Sequence, residues 1–138
     1  MPMQYGSCAA RALSSGCGLW GQVIPQTAGA LQRDVARELG LFRTIELHYA
    51  SCANQARFVA ARDKLLAAAD EAARAACRAE LREAVKAELA AAKALLPLAQ
   101  ADARIGYESS NHYFYIPQDL LEKVLCCRSI LADLDGTK

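Results

Sequence analysis

Glu108, Asn111, His112, Tyr113 and Tyr115 put a carboxylate, a carboxamide, an imidazole and two phenols into one short connection, with Arg104 just ahead of them. Carboxylate, amide and imidazole bond hydroxyl groups, and tyrosine rings offer flat stacking faces, the combination a sugar ring asks for. A plainer role competes with this one. Glu108 and Asn111 would cap free backbone groups while Tyr113, Phe114 and Tyr115 dock onto neighbouring helices.

Other chemistries are less well provided for. His48 and Cys52 are four apart and share a helix face, so with His112 or another cysteine they could ligate a metal. No CxxC pair accompanies them, and interior packing explains the two residues more simply, so neither a metal nor a cofactor is expected. A thiol nucleophile at Cys8 or Cys17 would need a histidine that spacing does not bring near. Gly16, Gly18 and Gly21 do not form GxGxxG, and no GK[ST] phosphate loop is present, which argues against nucleotide binding.

Charge narrows the partners further. Sixteen basic and fifteen acidic residues leave a formal charge of +1, and the arginines from Arg33 to Arg62 alternate with Asp34, Glu38, Glu46 and Asp63. No strong field is there to draw in nucleic acid or an anionic membrane. No apolar run reaches the length of a membrane span, and no uninterrupted apolar segment near Met1 marks an export signal. The chain as given reads as soluble and cytoplasmic, with reduced cysteines; an export signal could lie upstream if this is a piece of a longer protein.

The elements that would position these residues are helical. At 138 residues, 54% of them hydrophobic but many of those alanine, the chain suits one domain whose core rests on few large side chains. Residues 1–26 carry Gly6, Gly16, Gly18, Gly21, Pro2 and Pro25 and read as an irregular arm with a short helix at Ser7 to Ser14 at most. Residues 27–138 read as a helical bundle domain. Thr27 is the expected N-cap of a first long helix reaching about Ala68, with an apolar stripe through Leu31, Val35, Leu39, Phe42, Ile45, Tyr49, Cys52, Ala56 and Val59.

A second long helix starts near Asp70, with Cys77, Leu81, Val85, Leu89, Ala92 and Leu96 as its stripe. Glu80, Arg82, Glu83, Lys86, Glu88 and Lys93 read as its solvated face. Pro97 should kink or end it near Leu96. Pro117 opens a shorter third helix, whose apolar positions include Leu120, Val124 and Ile130 and whose Cys126 and Cys127 belong to the core, and Asp135 and Gly136 close it. The expected fold is all-α: an antiparallel bundle of two long helices and one shorter C-terminal helix.

The segment DARIGYESSNHYFYIPQDLLEKVLCC, preceded by an alanine- and glutamate-rich helix ending in LLPLAQ, resembles the C-terminal helical region of large bacterial glycoside-hydrolase-type proteins. The resemblance runs from about Gln26 to Leu134 and is specific at Asp102 to Cys127, through Arg104, Gly106, Glu108, Asn111, His112 and Tyr113. It implies a non-catalytic accessory domain, because the barrel bearing the catalytic carboxylates is absent from this chain. Asp102 and Glu108, a helix end and a loop residue, form no glycosidase pair by any spacing rule. The loop would contact a glycan or a catalytic neighbour. A helical protein that self-associates through uncovered apolar faces is the competing expectation.

Overall fold

A computed structural model describes residues 2–26, 28–106 and 115–136. Four α-helices make up the described chain: α1 (Pro2–Val23), α2 (Gly29–Ala67), α3 (Glu71–Ala101) and α4 (Pro117–Leu134), with a 3₁₀ turn at Ile24–Gln26. The protein is all-α, and no strand occurs among the described residues.

The N-terminal segment departs from expectation, being a long helix where an irregular arm was read. Gly16, Gly18 and Gly21 weaken it, each by about 1 kcal/mol relative to alanine. Packing against α2 compensates: Trp20 stacks on Phe42 with ring centroids 6.2 Å apart, and Cys17 lies beside Arg43 and Glu46. Leu13, Cys17 and Trp20 are spaced by four and three, the spacing of a helix face that the glycines obscured.

Thr27 lies outside the described residues. The residue in the cap position of α2 is Ala28, which has no side-chain hydrogen bond to the helix. Three residues separate α2 from α3, and the start of α3 is fixed by Asp70, whose carboxylate accepts from the Ala73 backbone N–H at 2.8 Å. Contacts pair Lys64 with Glu80, Ser51 with Glu88 and Gly40 with Leu98, so α2 and α3 run in opposite senses. The pairs Glu88 with Lys123 and Arg82 with Asp135 give the same relation between α3 and α4.

The helix α3 continues through Pro97 to Ala101, where a kink or an end was expected near Leu96. One backbone donor is lost at the proline. Leu95, Leu96, Leu98 and Ala99 pack on both sides of it into the main core with Leu47, Ala91, Ile105 and Leu120, which holds the final turn in place. That core sits where the C-terminal half of α3 meets the middle of α2 and the start of α4.

α3 packs against both α2 and α4, whereas α2 and α4 make no close backbone approach to one another. The two flank α3 and leave a groove above it. The apolar stripe read along α2 is not the face that α3 covers: Phe42 turns to α1, Tyr49 and Val59 stay exposed, and the face closed on α3 carries Leu47, Ser51 and Asn54. At about 100° per residue, Ser51 lies almost opposite Tyr49 on the helix.

Candidate functional site

The groove encloses about 750 Å³, a size in the range of small-molecule sites. Its apolar wall is Phe58 and Val59 from α2, Val85 from α3, and Cys127 and Ile130 from α4. His48, Cys52, Gln55, Glu88, Tyr115 and Lys123 gather polar atoms in the same groove.

Glu88 organises the polar groups. It belongs to the buried face of α3, in line with Ala84, Ala91 and Leu95, rather than to the solvated face assigned to it from its charge. Ser51 Oγ donates to its Oε1 at 2.6 Å, Asn54 Nδ2 to its Oε2 at 3.2 Å, and Lys123 Nζ to Oε1 at 2.8 Å. Gln55 Nε2 donates to Ser51 Oγ at 3.0 Å. A buried carboxylate costs several kcal/mol to desolvate unless its lone pairs are met, and here three donors from two other helices meet them. Lys123 also lies over the Tyr115 ring, 5.6 Å from its centroid. The floor of the groove is therefore charge-balanced and hydrogen-bonded.

At the rim, Tyr115 Oη and His48 Nδ1 are 2.7 Å apart, and the two rings meet edge to face at 5.3 Å. His48 Nε2 faces Cys52 Sγ at 3.8 Å across one helical turn. Burial raises the Tyr115 phenol above its ordinary value of 10, against the opposing pull of the Lys123 ammonium. The phenol keeps its proton at neutral pH. Burial, then the charge of Glu88, likewise raises the Cys127 thiol, with Lys123 opposing.

Tyr115 reaches this position through Gly106. With φ of +83°, Gly106 lies so close to the returning chain that a Cβ on it would fall 2.7 Å from the carbonyl carbon of Tyr115. No L side chain fits there.

Of the loop residues singled out from sequence, Tyr115 is brought to the groove and Arg104 is not among its lining residues. Arg104 instead binds Asp102, donating from Nε at 3.0 Å and from a terminal nitrogen at 2.6 Å, and stands 3.8 Å from Glu38. Those hydrogen bonds hold the Asp102 carboxyl down from 3.8 to about 2. Glu108, Asn111, His112 and Tyr113 lie outside the described residues. Ser51, Asn54, Gln55, Glu88 and Lys123 were missed. Their one local signal is spacing, since Glu88 falls three after Val85 and four before Ala92, and Lys123 four before Cys127.

All six cysteines are free, Cys127 buried and Cys126 exposed rather than both in the core. Among the described residues no group of three or more His, Cys, Asp or Glu side chains is placed to hold a metal, and no helix is long and apolar enough to cross a membrane. No protein-family model matches the chain, and no curated protein or solved structure matches it either.

Proposed function

We propose that the chain is a non-catalytic accessory domain, an antiparallel helical bundle that binds an amphipathic small molecule in the groove between α2 and α4. The observation that carries this is an apolar groove of about 750 Å³ whose polar groups are already charge-balanced, with Glu88 paired to Lys123. An ionic head would have to break that pair, so the fitting ligand has an uncharged, hydrogen-bonding head and an aliphatic or aromatic body. The head meets Gln55, His48 and Tyr115, and the body lies on Phe58, Val59 and Ile130.

The accessory role is supported by the resemblance of residues 26–134 to the C-terminal helical part of bacterial glycoside-hydrolase-type proteins. A sugar is one such head, which keeps the glycan expectation while moving its contact from the loop toward the groove. Titration with octyl glucoside below its micelle concentration, followed by amide NMR, tests this. Shifts at Gln55, Phe58 and Ile130 that vanish in Val59→Glu are expected. Equal binding of free glucose would refute the requirement for an apolar body.

Self-association is a second reading, favoured by Leu121 and Leu125, one turn apart on α4 with Leu125 63% exposed, and by Leu66 at 81% exposed. Sedimentation across concentrations should then reveal a dimer that Leu125→Arg dissociates. A stable monomer would count against it.

A further inference from the structure

A nucleophile, a base and a group that orients the base occur together at the rim of the groove. Cys52 Sγ is 3.8 Å from His48 Nε2, and His48 Nδ1 is 2.7 Å from Tyr115 Oη. In the tautomer with Nδ1 protonated, Nδ1–H donates to the phenol oxygen and Nε2 is left to accept from the thiol. Tyr49 also meets the imidazole, at 5.8 Å and 62°, so the ring is held between two tyrosines. This is the arrangement by which proteins activate a cysteine. Among the described residues Cys52 is the thiol that faces an imidazole. The thiols of Cys17 and Cys127 are raised mainly by burial.

The groove supplies what such a thiol would act on. From Cys52 to Val59 it follows α2 for about 10 Å at 1.5 Å per residue, flanked by Phe58, Val85 and Ile130. That lining suits an aliphatic chain of medium length and meets it with no unpaired charge, since Lys123 is held by Glu88.

We infer that Cys52 is an acyl acceptor: a medium-chain acyl thioester lays its chain in the groove and transfers its acyl group to Cys52 Sγ, with His48 carrying the proton. The inference rests on the groove being a ligand site. The Cys52 thiol gives its proton to His48 Nε2, and the sulfur forms a bond to the thioester carbonyl carbon. The carbon–sulfur bond to the original thiol then breaks, and the departing thiolate takes the proton back from Nε2. One thioester replaces another, nothing is oxidised or reduced, and burial of the chain favours the product. Transfer is stoichiometric, in keeping with an accessory role.

The test is to treat the reduced full chain with the N-acetylcysteamine thioesters of acetate, hexanoate and octanoate, and to read acylation by intact and peptide mass. One hydroxylamine-labile acyl group at Cys52 is expected, with a rate rising roughly two- to fourfold per methylene, the upper figure being that for full burial. Cys52→Ser should remove it. His48→Gln, checked for helicity by circular dichroism, should slow it at least about tenfold and remove the histidine-dependent step from the pH profile of Cys52 alkylation by iodoacetamide. Acylation spread evenly over Cys8, Cys52 and Cys126, no dependence on chain length, or a His48→Gln variant with unchanged rate and pH profile would each overturn the inference. If octyl glucoside still shifts the groove resonances while Cys52 is not acylated, the thiol chemistry falls and the ligand site stands. If neither occurs, both fall.

Discussion

The two sides of α2 are built in opposite ways. The side closed on α3 carries Ser51 and Asn54 and spends them on Glu88, while Tyr49 and Val59, turned away from that side, keep about two-fifths of their surface exposed. A helix whose stability came only from burying its most apolar face would be turned the other way. The difference shows that the pairing of α2 with α3 is specified by a hydrogen-bonded carboxylate set among small alanines. Apolar surface is thereby left over to line a groove.

The most damaging way to break this contrast is Glu88→Ala. Ser51 and Asn54 lose their acceptor and Lys123 its counter-charge, so unfolding in urea should show a loss of about 3 kcal/mol. Lys123, its side chain 28% exposed, regains part of its hydration and keeps the loss from being larger. A loss below about 1 kcal/mol would mean that the closed side is held by its alanines and leucines alone. Next comes Gly106→Ala, where the positive φ and the 2.7 Å approach to Tyr115 leave no room for a methyl group. A cost of about 1–3 kcal/mol is expected, together with displacement of the Tyr115 ring from His48, visible in the histidine ring resonances.

A separate acid-sensitive contact lies at the end of α3. Asp102, held at about 2 by Arg104, is ionised in the folded chain well below the pH at which it protonates in the unfolded one. Its contribution is complete above an ordinary value of 3.8 and is lost as pH falls from there through about 2. The difference in urea midpoint between the wild type and Asp102→Asn should shrink across that window. A constant difference would assign the acid sensitivity elsewhere. The smallest effect belongs to the open side: Val59→Ser, at a position 43% exposed, should leave stability within about 0.5 kcal/mol of wild type. A large loss there would mean that α2 is not open as described.

Sequence pattern revealed α3 and α4 well, because Leu81, Val85 and Leu120 recur at helical spacing and do become buried. It obscured α1, where Gly6, Gly16, Gly18 and Gly21 outweighed the spacing of Leu13, Cys17 and Trp20. For the site, His48 and Cys52 were legible as neighbours since four residues is one turn, and Tyr115 was legible as a member of a chemically rich connection. What joined them was not. The approach of Tyr115 to His48 spans 67 residues of chain, and the burial of Glu88 depends on Ser51 and Lys123 arriving from two other helices. Charge made Glu88 look like a surface residue, and only tertiary packing assigns its place and that of Lys123. Arg104 stood out for its type, yet its partners are Asp102 and Glu38, close to it at the end of α3.

The close approach of Gly106 to Tyr115 and Ile116 works as a neck. The chain that leaves the bundle at Gly106 meets it again at Tyr115 and Ile116 within touching distance. The ends of that segment are fixed points of the bundle, whatever its length. Doubling such a closed segment costs only about 0.6 kcal/mol. The bundle is in this respect a clasp, closed by the positive φ of Gly106 and its approach to Tyr115.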